Sequence, residues 1–233
     1  MIVAYDPAAH TQEFFRAHTD DVVCLAQHPR RRDVIATGQM ATVTENGRSS
    51  DPFACVYDWA SQQTWQLPPM AGQRKVVSLA FSGDGRFLAT AGCDNDFTIT
   101  VWDWENKSIV ATAKSANKVE ITHLAFQGGH DARPGTYEIC AVGPKAVTFY
   151  YLGAGGRAPL TVKQGKLGAA DRPNFLCACY TADDTCVVGA EVCISHRDEL
   201  NQSYTPNQLT NHDNILFAFD QNKSKQIRAE YLS

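Results

Sequence analysis

The 233-residue sequence contains no run approaching the roughly 18 to 20 uninterrupted apolar residues that a membrane-spanning helix requires. The opening segment Met1-Ile2-Val3-Ala4-Tyr5-Asp6 meets a carboxylate before a signal-peptide apolar region can form, so a non-secreted, soluble chain is expected. Positive charge is not in excess: 21 Lys and Arg face 25 Asp and Glu, for a formal net charge of -4. Bulk attraction to nucleic acid or to an anionic membrane is thereby excluded. Helical periodicity is scarce, and G-x-x-x-x-G-K-[ST], H-E-x-x-H and G-x-S-x-G are all absent, which removes the common phosphate-loop, zinc-protease and nucleophile-elbow chemistries. The eight cysteines sit mostly in apolar runs such as Val23-Cys24-Leu25 and Ile139-Cys140-Ala141, where a reduced thiol acts as a small buried hydrophobe. A cytoplasmic location follows as an expectation.

What the chain does have is a recurrence of short apolar stretches. One kind reads Val22-Val23-Cys24-Leu25-Ala26, then Val76-Val77-Ser78-Leu79-Ala80-Phe81, Ile121-Thr122-His123-Leu124-Ala125-Phe126 and Phe175-Leu176-Cys177-Ala178-Cys179. A second follows each after a polar turn and ends in glycine, at Gly38, Gly92, Gly143 and Gly189. A third ends in an aromatic and a polar residue, as in Val3-Ala4-Tyr5-Asp6, Cys55-Val56-Tyr57-Asp58 and Thr100-Val101-Trp102-Asp103. A fourth, more polar run closes each unit, as a half-exposed edge strand should. The runs are rich in β-branched and aromatic residues and are bounded by turn formers, so each unit is predicted to be four antiparallel strands. Units of about 40 to 45 residues with an aromatic-Asp ending are the signature of WD-repeat β-propeller blades. The predicted fold is all-β, an incomplete ring of about four and a half blades. Residues 1–17 form the outer strands of a preceding blade, 18–68 blade 1, 69–114 blade 2, 115–165 blade 3 and 166–233 blade 4, with an insertion near 191–213.

WD-repeat blades are often wired by a His before the first strand, a Ser or Thr in the second, a Trp in the third and an Asp in a turn. Blade 1 offers His18, Thr37 and Tyr57; blade 2 offers Thr90, Trp102 and either Asp94 or Asp96, without a His. Long insertions at Gln39–Pro52 and Glu191–Asn214 interrupt the turn between second and third strands, on a face that repeat proteins use for binding. Partner contact is therefore expected at Gln39, Met40, Glu45, Asn46 and Arg48, and at Asn95 and Asp96 of the corresponding turn in blade 2.

His18-Thr19-Asp20-Asp21 with the strand after it, Ile35-Ala36-Thr37-Gly38-Gln39 with its insertion, Val101-Trp102-Asp103-Trp104 and Phe175-Leu176-Cys177-Ala178 together resemble the echinoderm microtubule-associated protein-like family. The resemblance implies a portion of the first of two tandem propellers, a tubulin-binding function and a cytoskeletal location. Residue 1 falls in the third strand of a blade, so the upstream basic region of that family and the remaining blades are expected to be missing. Four and a half blades leave open sheet edges and an uncovered apolar flank, and the chain is expected to associate unless something completes the ring.

Three function classes remain open at this stage. The first is a non-catalytic module binding proteins, with tubulin or microtubules as the implied partner. The second is a general WD-repeat scaffold for a ciliary, flagellar or other cytosolic complex. A propeller enzyme is disfavoured, because carboxylates and histidines are not clustered at equivalent strand starts. No cofactor, small-molecule substrate, nucleic acid or membrane partner is expected. Cys177, Cys179, Cys186, Cys193 and His196 lack the C-x-x-C knuckle of a zinc site; Arg30-Arg31-Arg32 reads as a solvated turn; His123 reads as a packed or hydrogen-bonded histidine.

Overall fold

A computed structural model describes residues 1–43, 49–127, 137–153, 157–165, 173–181, 185–191, 215–219 and 228–231. Strands β1 (Ile2–Asp6) and β2 (Thr11–Phe15) pair as a two-stranded sheet. Strands β3 (Val22–Gln27) and β4 (Val34–Gln39) belong to the first four-stranded blade. Within the insertion that follows, β5 (Thr42–Val43) and β6 (Ser49–Ser50) make a small hairpin of their own, where the sequence reading expected only a loop. The blade resumes with β7 (Ala54–Asp58) and β8 (Gln63–Gln66), in the order β3-β4-β7-β8. Blade 2 is β9 (Val76–Phe81), β10 (Phe87–Gly92), β11 (Ile99–Asp103) and β12 (Ser108–Ala113). A 3-10 turn at Ala116–Lys118 leads to blade 3, made of β13 (His123–Phe126), β14 (Tyr137–Gly143), β15 (Ala146–Gly153) and β16 (Arg157–Gln164). Blade 4 is β17 (Phe175–Tyr180), β18 (Cys186–Ala190), β19 (Ile215–Phe219) and β20 (Arg228–Tyr231). Each is an antiparallel meander in chain order.

A blade with a neighbour on each side is covered on both faces, so its inner strands read as near-continuous apolar runs, whereas β3 of blade 1 alternates between half-buried and exposed residues. All six residues of β10 are buried, whereas β8, at the outer edge, is largely exposed. Inner strands divide large from small. Leu79 and Phe81 of β9 pack into the cluster shared with blade 1, which contains Val34, Val56, Trp102 and Trp104, while Ala80 lies in the cluster shared with blade 3. Likewise Leu124 and Phe126 of β13 face blade 2, and Ala125 faces blade 4. A small residue on one blade thus receives a large one from the next, each buried Leu or Phe contributing about 1.5–3 kcal/mol.

Register makes equivalent positions explicit. Thr37 lies opposite Leu25 on one side and Cys55 on the other, as Thr90 lies opposite Leu79 and Thr100. Leu25 and Leu79 are therefore equivalent, and so are Tyr57 and Trp102, each two residues beyond the pairing partner.

Candidate protein-binding face

In an antiparallel meander the β4–β7, β10–β11 and β14–β15 connections emerge at the same end as the links between blades. Here those segments are hydrogen-bonded into a collar. Met40 bridges Lys75, and Ala41 N–H donates to Arg74 O at 2.8 Å. Arg74 N–H donates to Cys93 O, and Cys93 N–H to Lys75 O, both at 3.1 Å. Ser115 N–H reaches Asp96 O at 3.0 Å. On blade 4, Lys145 N–H donates to Pro173 O at 3.2 Å and Glu191 N–H to Asn174 O at 2.8 Å. The described parts of these loops are thereby held by backbone contacts to the links between blades.

Gln39, expected as a partner contact, is corrected by the structure. It is fully buried, and its carboxamide is used internally. Oε1 accepts from His18 Nδ1 at 2.9 Å and Thr19 N–H at 3.2 Å; Nε2 donates to Thr19 Oγ1 at 3.0 Å and Met40 O at 3.1 Å. Because Oε1 can only accept, His18 carries its proton on Nδ1 and its Nε2 accepts the Thr37 hydroxyl at 2.7 Å. The His18 ring is stacked on Phe53, with centroids 5.5 Å apart, and burial holds its pKa below the ordinary histidine value against the opposing effect of the Gln39 hydrogen bond.

Tyr57 occupies the place of Trp102 but does not complete that chain. Its ring stacks on Phe15, centroids 4.3 Å apart, and its hydroxyl bonds Gln62 within the β7–β8 turn. In blade 2 the indole does engage: Trp102 Nε1 donates to Thr90 Oγ1 at 3.0 Å, and Thr90 faces Thr100 O at 3.4 Å. Of the two acidic alternatives, Asp94 organises the β10–β11 turn, accepting from Thr98 N–H at 2.9 Å and the Thr98 hydroxyl at 2.6 Å. Burial pushes its pKa up, and the bonds from Thr98, Gln73 and the Asp96 N–H outweigh that and hold it below the usual carboxylate range. Gln73 thus stands near the position of the missing histidine. Its side chain lies where a Cβ on Gly92 would be, and its Oε1 is buried without a hydrogen-bond partner among the described residues.

Asp96 pairs with Lys114 at 2.6 Å and Lys118 at 3.4 Å, and Asn95 beside it is exposed. Met40 is 38% exposed and Val43 of the hairpin 74% exposed. Glu45, Asn46 and Arg48 lie outside the described residues. Sequence reading missed Val43, Arg74 and Lys75, because exposure and backbone pairing across blades leave no local pattern.

Of the remaining singled-out groups, Arg31 lies in the β3–β4 turn at the opposite end of blade 1, while His123 begins β13. Arg31 is more than a solvated cation: it pairs with Asp58 at 2.8 Å and Glu105 at 3.5 Å. His123 Nδ1 accepts Ala178 N–H from the next blade at 3.2 Å. Cys177 and Cys179 are exposed and Cys186 is buried, while Cys193 and His196 fall outside the described residues. Among the described residues no group of three or more His, Cys, Asp or Glu is gathered to hold a metal ion, and no helix is long and apolar enough to cross a membrane.

Residues 11–226 match the family described as the echinoderm microtubule-associated protein first beta-propeller. The chain belongs to this family. Among curated relatives, the echinoderm microtubule-associated protein-like 4 of Xenopus laevis is 33% identical over 193 residues, covering 81% of this chain and 20% of that protein. Its Homo sapiens counterpart is 32% identical, over 81% of this chain and 19% of its own. The chain therefore spans about a fifth of the length of these relatives. Among solved structures, the Cps50 (Swd1) β-propeller domain of Myceliophteria thermophila superposes with a TM-score of 0.61 at 12% identity, over 93% of this chain and 56% of that one. Sqt1 of Chaetomium thermophilum, solved bound to the N-terminus of ribosomal protein L10, gives 0.55 at 19% identity, over 76% and 45% of the two chains. These likenesses show the fold: an all-β WD-repeat propeller, present here as part of a ring. Family and fold are those of a protein-interaction module.

Proposed function

We propose that this chain is a non-catalytic docking platform for tubulin, working in the cytoplasm on the cytoskeleton through the collared loop face. The observation that carries the reading is membership of a family named for microtubule association, joined to a face whose described loop segments are tied by backbone hydrogen bonds. Fixed loops lose little conformational entropy on binding, so their exposed side chains are available at low cost. The contact is surface docking rather than attraction to a polyanion, since the net charge is -4.

Binding to tubulin dimers across a salt series tests the proposal. Affinity should change only modestly above physiological salt, where screening over about 8 Å has already removed most long-range attraction. Replacing residues 42–50 by a tight turn, with Gln39 to Ala41 retained because they are wired into the blade, should weaken it. Absence of detectable binding by the unaltered chain would refute the tubulin assignment. A second reading then takes its place, a scaffold for another complex, cytosolic or ciliary. The Sqt1 propeller bound to the N-terminus of a ribosomal protein favours it, because that fold there holds the terminus of another protein.

A further inference from the structure

The collar is not evenly charged where blades 1 and 2 meet. Arg74 is exposed and Lys75 half-buried, and neither has a carboxylate partner among the described residues. Arg74 instead lies 3.6 Å from Cys93 Sγ, a contact that leaves most of its guanidinium N–H groups for a ligand. The acids nearby are already engaged or turned to other work. Asp96 holds Lys114 and Lys118, Asp94 holds Thr98, and Asp51 accepts Gly72 N–H at 3.0 Å. Directly against the two cations stand Met40 and Ala41, through the Met40–Lys75 bridge and the Ala41–Arg74 hydrogen bond. Two residues beyond Ala41 is Val43, the most exposed large hydrophobic residue among those described. On the blade 1 side the sector is bounded by Asp20 and Asp21, whose backbone receives Met40 N–H at 3.0 Å.

We infer that this sector, Met40 and Val43 beside Arg74 and Lys75, is a docking site for a short partner segment that carries a carboxylate next to apolar side chains. The inference deepens the proposed function and rests on the same face. Charge complementarity selects the occupant. Two cations without a carboxylate partner among the described residues favour one or two carboxylates, charge-assisted and bidentate at Arg74, and the adjoining Met and Val favour apolar neighbours. Asp20 and Asp21 repel a continuous polyanion, so a mixed motif is preferred to an acidic tail. Backbone pairing at Met40, Arg74 and Lys75 holds the two cations beside the Met40 apolar contact, which makes the site selective.

The test uses the full chain and two named probes. The first is a synthetic peptide, acetyl-Gly-Leu-Glu-Ile-Glu-Gly-amide, titrated into isotope-labelled protein, with the same peptide carrying Lys in place of Glu as control. Amide shifts should concentrate at Met40 to Val43, Arg74 and Lys75 with the Glu peptide and be absent with the Lys peptide. Shifts elsewhere, or equal shifts with both, would overturn the inference whatever tubulin does. The second probe is the tubulin dimer. R74E/K75E should weaken binding about tenfold, from two lost pairs and new repulsion, whereas K114Q on the same face should alter it less than about twofold. If the unaltered chain binds tubulin and R74E/K75E binds equally well, this sector is not the contact and the docking platform stands without it.

Discussion

Gln39→Ala should be among the more damaging single substitutions on the collared face, although its position in a long insertion suggests a tolerant surface site. The carboxamide makes four hydrogen bonds, at 2.9 to 3.2 Å, and the residue is fully buried. Truncation strands the His18 Nδ1–H, the Thr19 N–H and the Met40 carbonyl. Each lost bond costs about 0.5–1.5 kcal/mol, the exposed Thr19 groups least because water replaces Gln39 there. The sum is about 2–4 kcal/mol. At about 2–4 °C per kcal/mol for a domain of this size, Tm should fall by roughly 4–16 °C. Urea denaturation followed by tryptophan fluorescence reads the free energy directly. Gln39→Leu keeps the volume without the bonds and should be no better than Gln39→Ala. Met40→Ala, removing a side chain that is 38% exposed, should cost less than about 1 kcal/mol. If Gln39→Ala lies within about 0.5 kcal/mol of the parent chain, the carboxamide is not a structural centre of blade 1.

Gly85→Ala should destabilise by about 2 kcal/mol or more, because Gly85 has a φ of +78° and the His28 ring occupies the space of a new Cβ; an unchanged urea midpoint would contradict this. Stability should fall as pH drops from 7.5 to 5.5. Burial lowers the pKa values of His18, His28 and His123, so the unfolded chain binds more protons below about pH 6.5, with a slope of at most about 1.4 kcal/mol per pH unit per histidine. A pH-independent urea midpoint across that window would show that these rings are free to charge. The chain should also self-associate in a concentration-dependent manner through the exposed Val3, Tyr5, Phe14 and Leu25, and Phe14→Glu with Leu25→Glu should reduce it; a monomer at all concentrations in sedimentation velocity would refute that.

The fold was legible because burial on both faces writes each strand as an apolar run, and because tight turns must be built from Gly, Asp and Asn, as at Ser82-Gly83-Asp84-Gly85. The wiring was legible where one side chain suffices, as at Trp102 and Thr90. It was obscured where a different chemistry fills the same place. Gln39 sits at the end of β4 and reads as the start of a loop, and only the third dimension puts His18, 21 positions earlier, against it. Gln73 near the missing histidine gives no local signal, since a carboxamide is ordinary in any polar turn. Arg74 and Lys75 belong to the link before β9, and their importance comes from Met40 of another blade, a pairing that no periodicity records. Tyr57 shows the opposite failure: the position was right, but a phenol hydroxyl extends beyond the reach of Thr37 and finds Gln62.

The division of inner strands into large and small faces explains why the open flank and the docking sector behave independently. Leu25, Leu79 and Leu124 share one register position, yet they are 58%, 5% and 1% exposed. Nothing in their sequence context separates them. The difference is the neighbour: Leu79 enters the cluster shared with blade 1 and Leu124 the one shared with blade 2, whereas only β1 and β2 stand before blade 1, packing Phe15 and Ile2 against Phe53, Cys55 and Tyr57. Leu25 and Val23 are inner-face residues without a counterpart among the described strands, and β1 pairs on one side only. What covers them must offer small side chains, as Ala80 does to Leu124 and Ala26 to Phe81. That demand is geometric and apolar, so it is insensitive to salt, while the Met40–Lys75 sector on the other face of blade 1 selects by charge. Raising salt should therefore leave self-association intact while it modestly weakens capture of an acidic segment, and Leu25→Glu should reduce the first and spare the second.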